Sequence, residues 1–296
     1  MNALVTGVSG FIAPHIVEAC LNKGWKTIGV DIRDCDISHP DFQFWKKDVR
    51  ELRFNDMKDI DYVFHLAFVT NIPNSVDHPL ETTRDNINMT AYFLDLSTKA
   101  EVKKFIYPST ASLYGDTPPP WSESVSSPDP IEPYSWQKLT CEYACSMWYK
   151  RYGLPTVVFR LFQVFGENQR PDTALAAFML SKKEGKPITL TKTTAQSSFK
   201  SAQRDFIYVK DIAQAFILAA ESKNVGNGET INIGTGKVYS IEEVANVIGG
   251  EITWIPRRGY EVERHEADIT KAKKLLNWSP KVDIIDWLNE FITSME

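Results

Sequence analysis

The chain is sparing with the residues that make metal centres and cross-links. Of 296 residues, four are cysteine and five are histidine. Cys20, Cys35, Cys141 and Cys145 form no C-x-x-C pair. Cys141 and Cys145 share a helix face by spacing, but no second ligand pair flanks them. This argues against a zinc site or a disulfide framework and predicts reduced thiols in a cytosolic protein. With the histidines scattered, no metal is expected. No apolar run approaches the roughly eighteen residues needed to span a bilayer, and the N-terminus opens on a strand rather than on a charged and then apolar leader. There is no basic block either: 33 Lys and Arg stand against 38 Asp and Glu, a net charge of −5. Nucleic acid and anionic membrane are therefore not expected as partners. An anionic small molecule still fits, because a few local arginines make a positive pocket inside an acidic protein. No internal repeat is present.

What is there is a regular alternation. Hydrophobic content is 43% and charged content 24%, ordinary for a globular protein. The length suits one large α/β domain or two unequal lobes. Short apolar strands are predicted at 3–5, 25–31, 42–45, 61–66, 103–107 and 156–162, with helices between them, above all at 77–100 and 134–152. Strands alternating with helices imply a parallel sheet with right-handed crossovers. Its ligands sit at the carboxyl ends of the strands. The expected fold is a Rossmann-type doubly wound α/β sheet over 1–165. A smaller mixed α/β lobe follows over 166–296, with some segments returning to pack on the first domain.

The first strand runs into T-G-V-S-G-F-I-A. Gly7 and Gly10 permit a tight turn and close backbone approach, and the helix amides beyond it favour a phosphate. Ala13 takes the place of a third glycine where the helix packs on the sheet. Asp31 ends the second strand about twenty residues on, where a carboxylate accepts from ribose hydroxyls and repels a 2′-phosphate. The reading is a dinucleotide site for NAD rather than NADP, with Arg33 close by. Tyr134 and Lys138 stand four apart at the start of a helix, one turn from each other on one face. An ammonium beside a phenol stabilises the phenolate. Moving a tyrosine from about 10 towards 7 takes roughly 4 kcal/mol, and the product is a proton-transfer group for neutral pH. The proline-rich stretch 116–133 before it reads either as a linker or as a stiff loop over the crevice. The polar stretch 191–202 reads as a mobile loop. Asp211 reads as the cap of a helix to about 222.

Seven motifs in order make the chain resemble the extended short-chain dehydrogenase/reductase family, in its nucleotide-sugar epimerase/dehydratase branch. They are T-G-V-S-G-F-I at 6–12, H-L-A at 65–67, S-T-A-S-L-Y-G at 109–115, Y-S-W-Q-K at 134–138, R-D-F-I-Y-V-K-D-I at 204–212, I-N-I-G-T-G at 231–236 and A-D-I-T-K-A-K-K-L-L-N-W at 267–278. The resemblance implies Tyr134 as base, Lys138 as the residue that lowers its pKa and holds the nicotinamide ribose, and Thr110 as the hydroxyl bonded to the reacting sugar. It places Gly7, Gly10, Phe11, Ile12, Asp31, Asp48, Val49, Leu66, Ala67 and Asn86 around NAD. It places Ser112, Gln163, Arg204 and Arg258 around a nucleotide-diphosphate sugar, most simply a UDP-sugar. A homodimer through the helices 77–100 and 134–152 is also implied.

Departures narrow the reaction. Similar dehydratases follow the threonine with Asp-Glu, and similar decarboxylases carry a Glu two positions after it. Here Ala111 and Ser112 follow Thr110, so no acid serves an elimination. The pattern resembles that of 4-epimerases, in which a 4-keto sugar turns over between two hydride transfers. Gln163 stands where asparagine is usual. Two rivals use the same residues: an NAD(P)H-dependent reductase of a 4-keto nucleotide sugar, and a non-catalytic nucleotide-binding protein on the same fold.

Overall fold

The computed structural model describes residues 1–124, 127–171, 173–257 and 262–293. Seven parallel strands form the main sheet: β1 (Asn2–Thr6), β2 (Lys26–Asp31), β3 (Phe42–Lys46), β4 (Tyr62–His65), β5 (Lys104–Thr110), β6 (Thr156–Leu161) and β10 (Asn227–Ile233). Their order across the sheet is β10-β6-β5-β4-β1-β2-β3. The order reverses between β1 and β4, and a crevice opens there beyond the strand ends. The sheet is doubly wound. Helices α1 (Ala13–Asn22) and α6 (Val209–Glu221) pack on one face, over a core that includes Ile16, Phe159 and Phe216. Helices α3 (Pro79–Lys99) and α4 (Pro133–Tyr152) pack on the other, over Phe93, Phe105 and Tyr107.

Strand β5 runs three residues further than its apolar pattern predicts, through Pro108, Ser109 and Thr110. Backbone pairing with β6 continues to Thr110↔Leu161, so pairing with a neighbour overrides side-chain polarity. The helix predicted at 77–100 is α3, and a short helix α2 (Ile72–Asp77) precedes it, the two separated at His78 ahead of Pro79. Helix α4 starts at Pro133. Its cap is Glu132, whose carboxylate accepts the Ser135 amide at 3.0 Å.

Beyond β6, strands β7 (Gln163–Phe165), β9 (Gln203–Tyr208) and β11 (Val238–Ser240) form a three-stranded sheet, while β8 (Ile188–Thr191) and β12 (Ile252–Ile255) form a pair. With α5 (Ala174–Lys183), α7 (Ile241–Ile248) and α9 (Ile284–Thr293) they enclose a third core around Phe165, Phe206 and Trp287. Helix α8 (Thr270–Leu276) packs on β10. Helix α6 and strand β10, both beyond residue 166, return to the large sheet, β10 as an edge strand and α6 packed on its face.

One local expectation is corrected. Asp211 lies inside the first turn of α6 rather than at its cap. Its carboxylate accepts the amides of Lys281 and Val282 at 2.8 and 3.1 Å and so ties the C-terminal segment to the helix. In the stretch 191–202, Thr194 donates to Glu263 from both backbone and side chain, and Ser201 is buried and accepts the Glu242 amide.

Candidate active site

A cleft of about 630 Å³ lies over the carboxyl ends of the strands. At one wall the glycine turn leaves β1 and meets the end of β4. Gly7 has φ +74°, and a Cβ there would stand 2.8 Å from the Ala67 nitrogen, so only glycine allows this approach. A Cβ on Gly10 would meet the Gly7 carbonyl at 3.0 Å. Phe11 and Ile12 line the cleft where α1 begins, and Ile12 supplies no side-chain cap to the helix amides. Those donors suit an anion.

Asp31 closes this end. One of its oxygens accepts the Ser9 amide at 3.0 Å and the other the Arg33 amide at 2.9 Å, so the carboxylate also braces the turn. Arg33 lies on the surface with Nε 3.6 Å from Asp31. Asp48 and Val49 line the adjacent wall. Both Asp48 oxygens are engaged by Arg50, at 2.7 to 3.0 Å, and those hydrogen bonds hold the Asp48 carboxyl below its usual range despite partial burial. Leu66 and Ala67 form the floor, with the Ala67 amide donating to the Thr6 hydroxyl at 3.0 Å. That hydroxyl also meets His65 Nδ1 at 2.9 Å. His65 is fully buried, and burial first, then the nearby Lys138 charge, lower its pKa to about 3.

The far end gathers Thr110, Ser112, Tyr134, Lys138 and Gln163. Thr110 leaves the end of β5 and caps a short turn, its hydroxyl accepting the Ser112 amide at 3.2 Å. The Thr110 hydroxyl lies close enough to the Tyr134 phenol to draw its pKa down. Burial dominates that phenol. Desolvation first, and then the Glu132 carboxylate, push it up to about 12, against the opposing pull of Thr110 and Arg170. The Lys138 ammonium donates to the Pro108 carbonyl at 2.7 Å and faces the rings of Phe68 and Tyr107 at 3.8 and 4.6 Å. Burial lowers its pKa to about 7, partly offset by Cys141, Glu142 and Cys145. The polypeptide alone thus leaves Tyr134 a phenol and Lys138 close to neutrality.

Two expected positions do not line this cleft. Asn86 does not line the cleft. It is fully buried behind it, with its amide turned to the backbone of Val69 and to Gln137. Arg204 does not line it either, and its guanidinium returns to the carbonyls of Gln203 and Glu263 at 2.8 and 3.4 Å. Arg258 lies outside the described residues. The proline-rich stretch contributes no described residue to the cleft wall. Instead Trp121 pairs with the 266–268 segment, its amide donating to the Glu266 carbonyl at 2.8 Å, and its ring stacks on Tyr114.

Sequence reasoning missed Phe68, Thr70 and Arg170, which all line the catalytic end. Arg170 donates to the Thr70 hydroxyl. No spacing rule announces them: they come from loops that meet only in three dimensions.

Residues 3–234 match the NAD dependent epimerase/dehydratase family. The UDP-glucuronate 4-epimerase of Thermodesulfobacterium geofontis (strain OPF15) is 32% identical over 313 residues, covering 98% of this chain and 94% of that protein. The putative UDP-glucose 4-epimerase of Methanocaldococcus jannaschii is 29% identical, with 99% and 98% covered. Among solved structures, the UDP-glucuronic acid 4-epimerase from Bacillus cereus, in complex with UDP-glucuronic acid and NAD, superposes with a TM-score of 0.89 at 29% identity over 100% of both chains. UDP-glucose 4-epimerase from Thermotoga maritima, with UDP-glucose, does so with 0.87 at 29% identity, again over 100% of both. With its glycine turn, strand-end carboxylate and Thr-Tyr-Lys cluster in one cleft, the chain belongs to the NAD dependent epimerase/dehydratase family.

Proposed function

We propose that this protein epimerises a nucleotide-diphosphate sugar at C4, with NAD as a resident cofactor. One observation carries the reading: Thr110, Tyr134 and Lys138 converge at the end of the cleft opposite Asp31, and the two residues after Thr110 are Ala111 and Ser112. A proton-transfer group is present, and no carboxylic acid follows the threonine to drive loss of a leaving group.

The residues fit the cofactor. The glycine turn and the uncapped start of α1 suit a diphosphate, and Asp31 suits a ribose bearing free hydroxyls. NAD supplies, when bound, a cationic acceptor that takes a hydride from the sugar and gives it back. The chain's own residues handle the proton and the placement. Tyr134, once deprotonated to the phenolate, takes the proton of the C4 hydroxyl, with the Thr110 hydroxyl beside it to orient the exchange. Lys138, able to change charge near neutrality, sets how readily the phenol gives up its own proton. Tyr134 returns the proton when the 4-keto sugar, having presented its other face, is reduced again. Ser112 and Gln163 bound the space in which it turns.

UDP-sugars are the first substrates to try. Glucuronate differs from glucose in carrying a carboxylate. Arg170, a cation on the cleft wall whose charge reaches Tyr134, favours the acid. The test is turnover of UDP-glucuronate and UDP-glucose by the purified protein without added cofactor, read as appearance of the C4 epimer. An absorption spectrum of retained NAD(H) accompanies it. Turnover that requires added NAD(P)H and a 4-keto sugar would favour a reductase and overturn the epimerase reading.

We also place the protein in the cytosol, where Cys20, Cys35, Cys141 and Cys145 stay thiols, and infer a homodimer through α3 and α4. On α4, Trp136, Tyr143 and Met147 are exposed large apolar side chains along one side, whereas Leu139 is core. Sedimentation of a Trp136→Glu, Met147→Glu variant as a monomer is the expected result.

A further inference from the structure

Beneath the catalytic pair, the seam between α3 and α4 is closed by two amides. Asn86 and Gln137 are both fully buried. Asn86 Oδ1 accepts the Val69 amide at 2.7 Å, while its Nδ2 donates to the Val69 carbonyl at 3.2 Å and to Gln137 Oε1 at 2.8 Å. Gln137 Nε2 donates to the hydroxyls of Thr82 and Thr83, both at 3.0 Å. The orientations are dictated in sequence. The Val69 amide requires an oxygen, which turns the Asn86 nitrogen towards Gln137, which must then present its own oxygen. The network is satisfied along its length, the condition under which a buried polar group fixes a geometry.

The bracket grips Val69 by both backbone groups, and the residue before it meets the catalytic pair. Phe68 lays its ring 3.8 Å from Lys138 Nζ and its edge against Tyr134, with centroids 6.0 Å apart. We propose that Phe68 and Gln137 are positioning residues for the reaction: Gln137, acting through Asn86 and Val69, holds the Phe68 ring over the Lys138 ammonium. The inference rests on the epimerase reading above. A desolvated ring face holds an ammonium in its charged form by roughly one pKa unit. The other groups facing Lys138 are Tyr107 from β5, neutral His65 from β4, and Tyr134, Cys141, Glu142 and Cys145 from its own helix. None of them belongs to the Phe68–Thr70 segment, so the bracket acts on Lys138 through Phe68.

Two readouts test this. The first is the pH dependence of Lys138 acetylation by acetic anhydride in the purified protein, followed by peptide mass spectrometry. Its midpoint falls by about one unit in Phe68→Leu, falls in the same direction in Gln137→Met, and stays put in Phe68→Tyr, which keeps the ring. The second is epimerisation itself. Each of Phe68→Leu and Gln137→Met lowers kcat by roughly tenfold with little change in KM, and the double variant is no slower than the slower single one, because both cut the same contact. An unmoved midpoint in Phe68→Leu overturns the proposal, and so do kcat losses that multiply in the double variant. If Gln137→Met fails to fold, Thr83→Val loosens the same amide from its outer end and takes its place. A wild type without epimerase activity counts against the function and leaves the labelling result to judge the contact.

Discussion

Helix α4 serves two buried cations, and it treats them in opposite ways. Near its start Lys138 meets a carbonyl and two ring faces. One turn on, Glu142 takes the guanidinium of Arg160 from β6 in a forked contact at 2.7 to 3.2 Å, with the Tyr114 ring 4.7 Å from the guanidinium carbon. Both sites are almost fully buried. Burial pulls Arg160 down and Glu142 more than reverses it, so that charge is permanent. Burial brings Lys138 to about 7, where it gains or loses a proton near neutrality. A buried ion pair is thus architecture here, joining helix to sheet. The cation without a carboxylate fork is the one left able to take part in chemistry.

The largest expected effect is chemical. Tyr134→Phe removes the proton-transfer group and lowers kcat by about 10²–10⁴, with the fold and the melting curve intact. Wild-type turnover in that variant would remove the mechanism. Next comes architecture. Glu142→Leu strands Arg160 as an unpaired buried charge and costs about 3–5 kcal/mol in urea unfolding.

Lys138→Met sharpens the contrast by going the other way. Turnover drops by about 10², but stability holds or rises. The folded protein refuses, at about 7, a proton that an unfolded lysine keeps to 10.5. That penalty is full below about pH 7 and fades as pH rises towards 10.5, so the gain from the variant is read at pH 6 and is absent at pH 10.5. If Lys138→Met loses as much stability as Glu142→Leu, the two sites are not built on different terms. The smallest effect concerns His65, held neutral to about 3 against an ordinary 6.5. Between those values the unfolded chain binds one proton more, so stability falls with acidification by about 1.4 kcal/mol per pH unit. In His65→Gln the slope of unfolding free energy between pH 6 and 4 flattens by about one proton.

The parts of the site that were legible in the sequence are those where few residue types can do the job. Gly7 takes a positive φ at a close approach, Asp31 must end a strand, and Tyr134 and Lys138 must share a helix face; spacing alone encodes each. Asn86 was legible as a residue but not as a role, because which way an amide turns depends on a neighbour fifty-one positions away. Arg204 stands beside a more telling residue. Asp205 is fully buried and accepts from Thr235, Gly236 and Ala267, so that strand's polar motif holds loops together. Phe68 and Arg170 were illegible because they become neighbours of the tyrosine only after the sheet has formed.

Strand β10 has a consequence for how the protein is made. Residues 227–233 pair with β6 along Thr156–Leu161 and cover its outer edge. Until the ribosome has delivered them, several seconds after β6 at ordinary rates of synthesis, that apolar edge is an open template for a strand from another chain. The half that holds the glycine turn and the Tyr-Lys pair therefore finishes folding late, on a segment from the other half. A fragment ending near residue 165 would be expressed as aggregate rather than as a small nucleotide-binding domain.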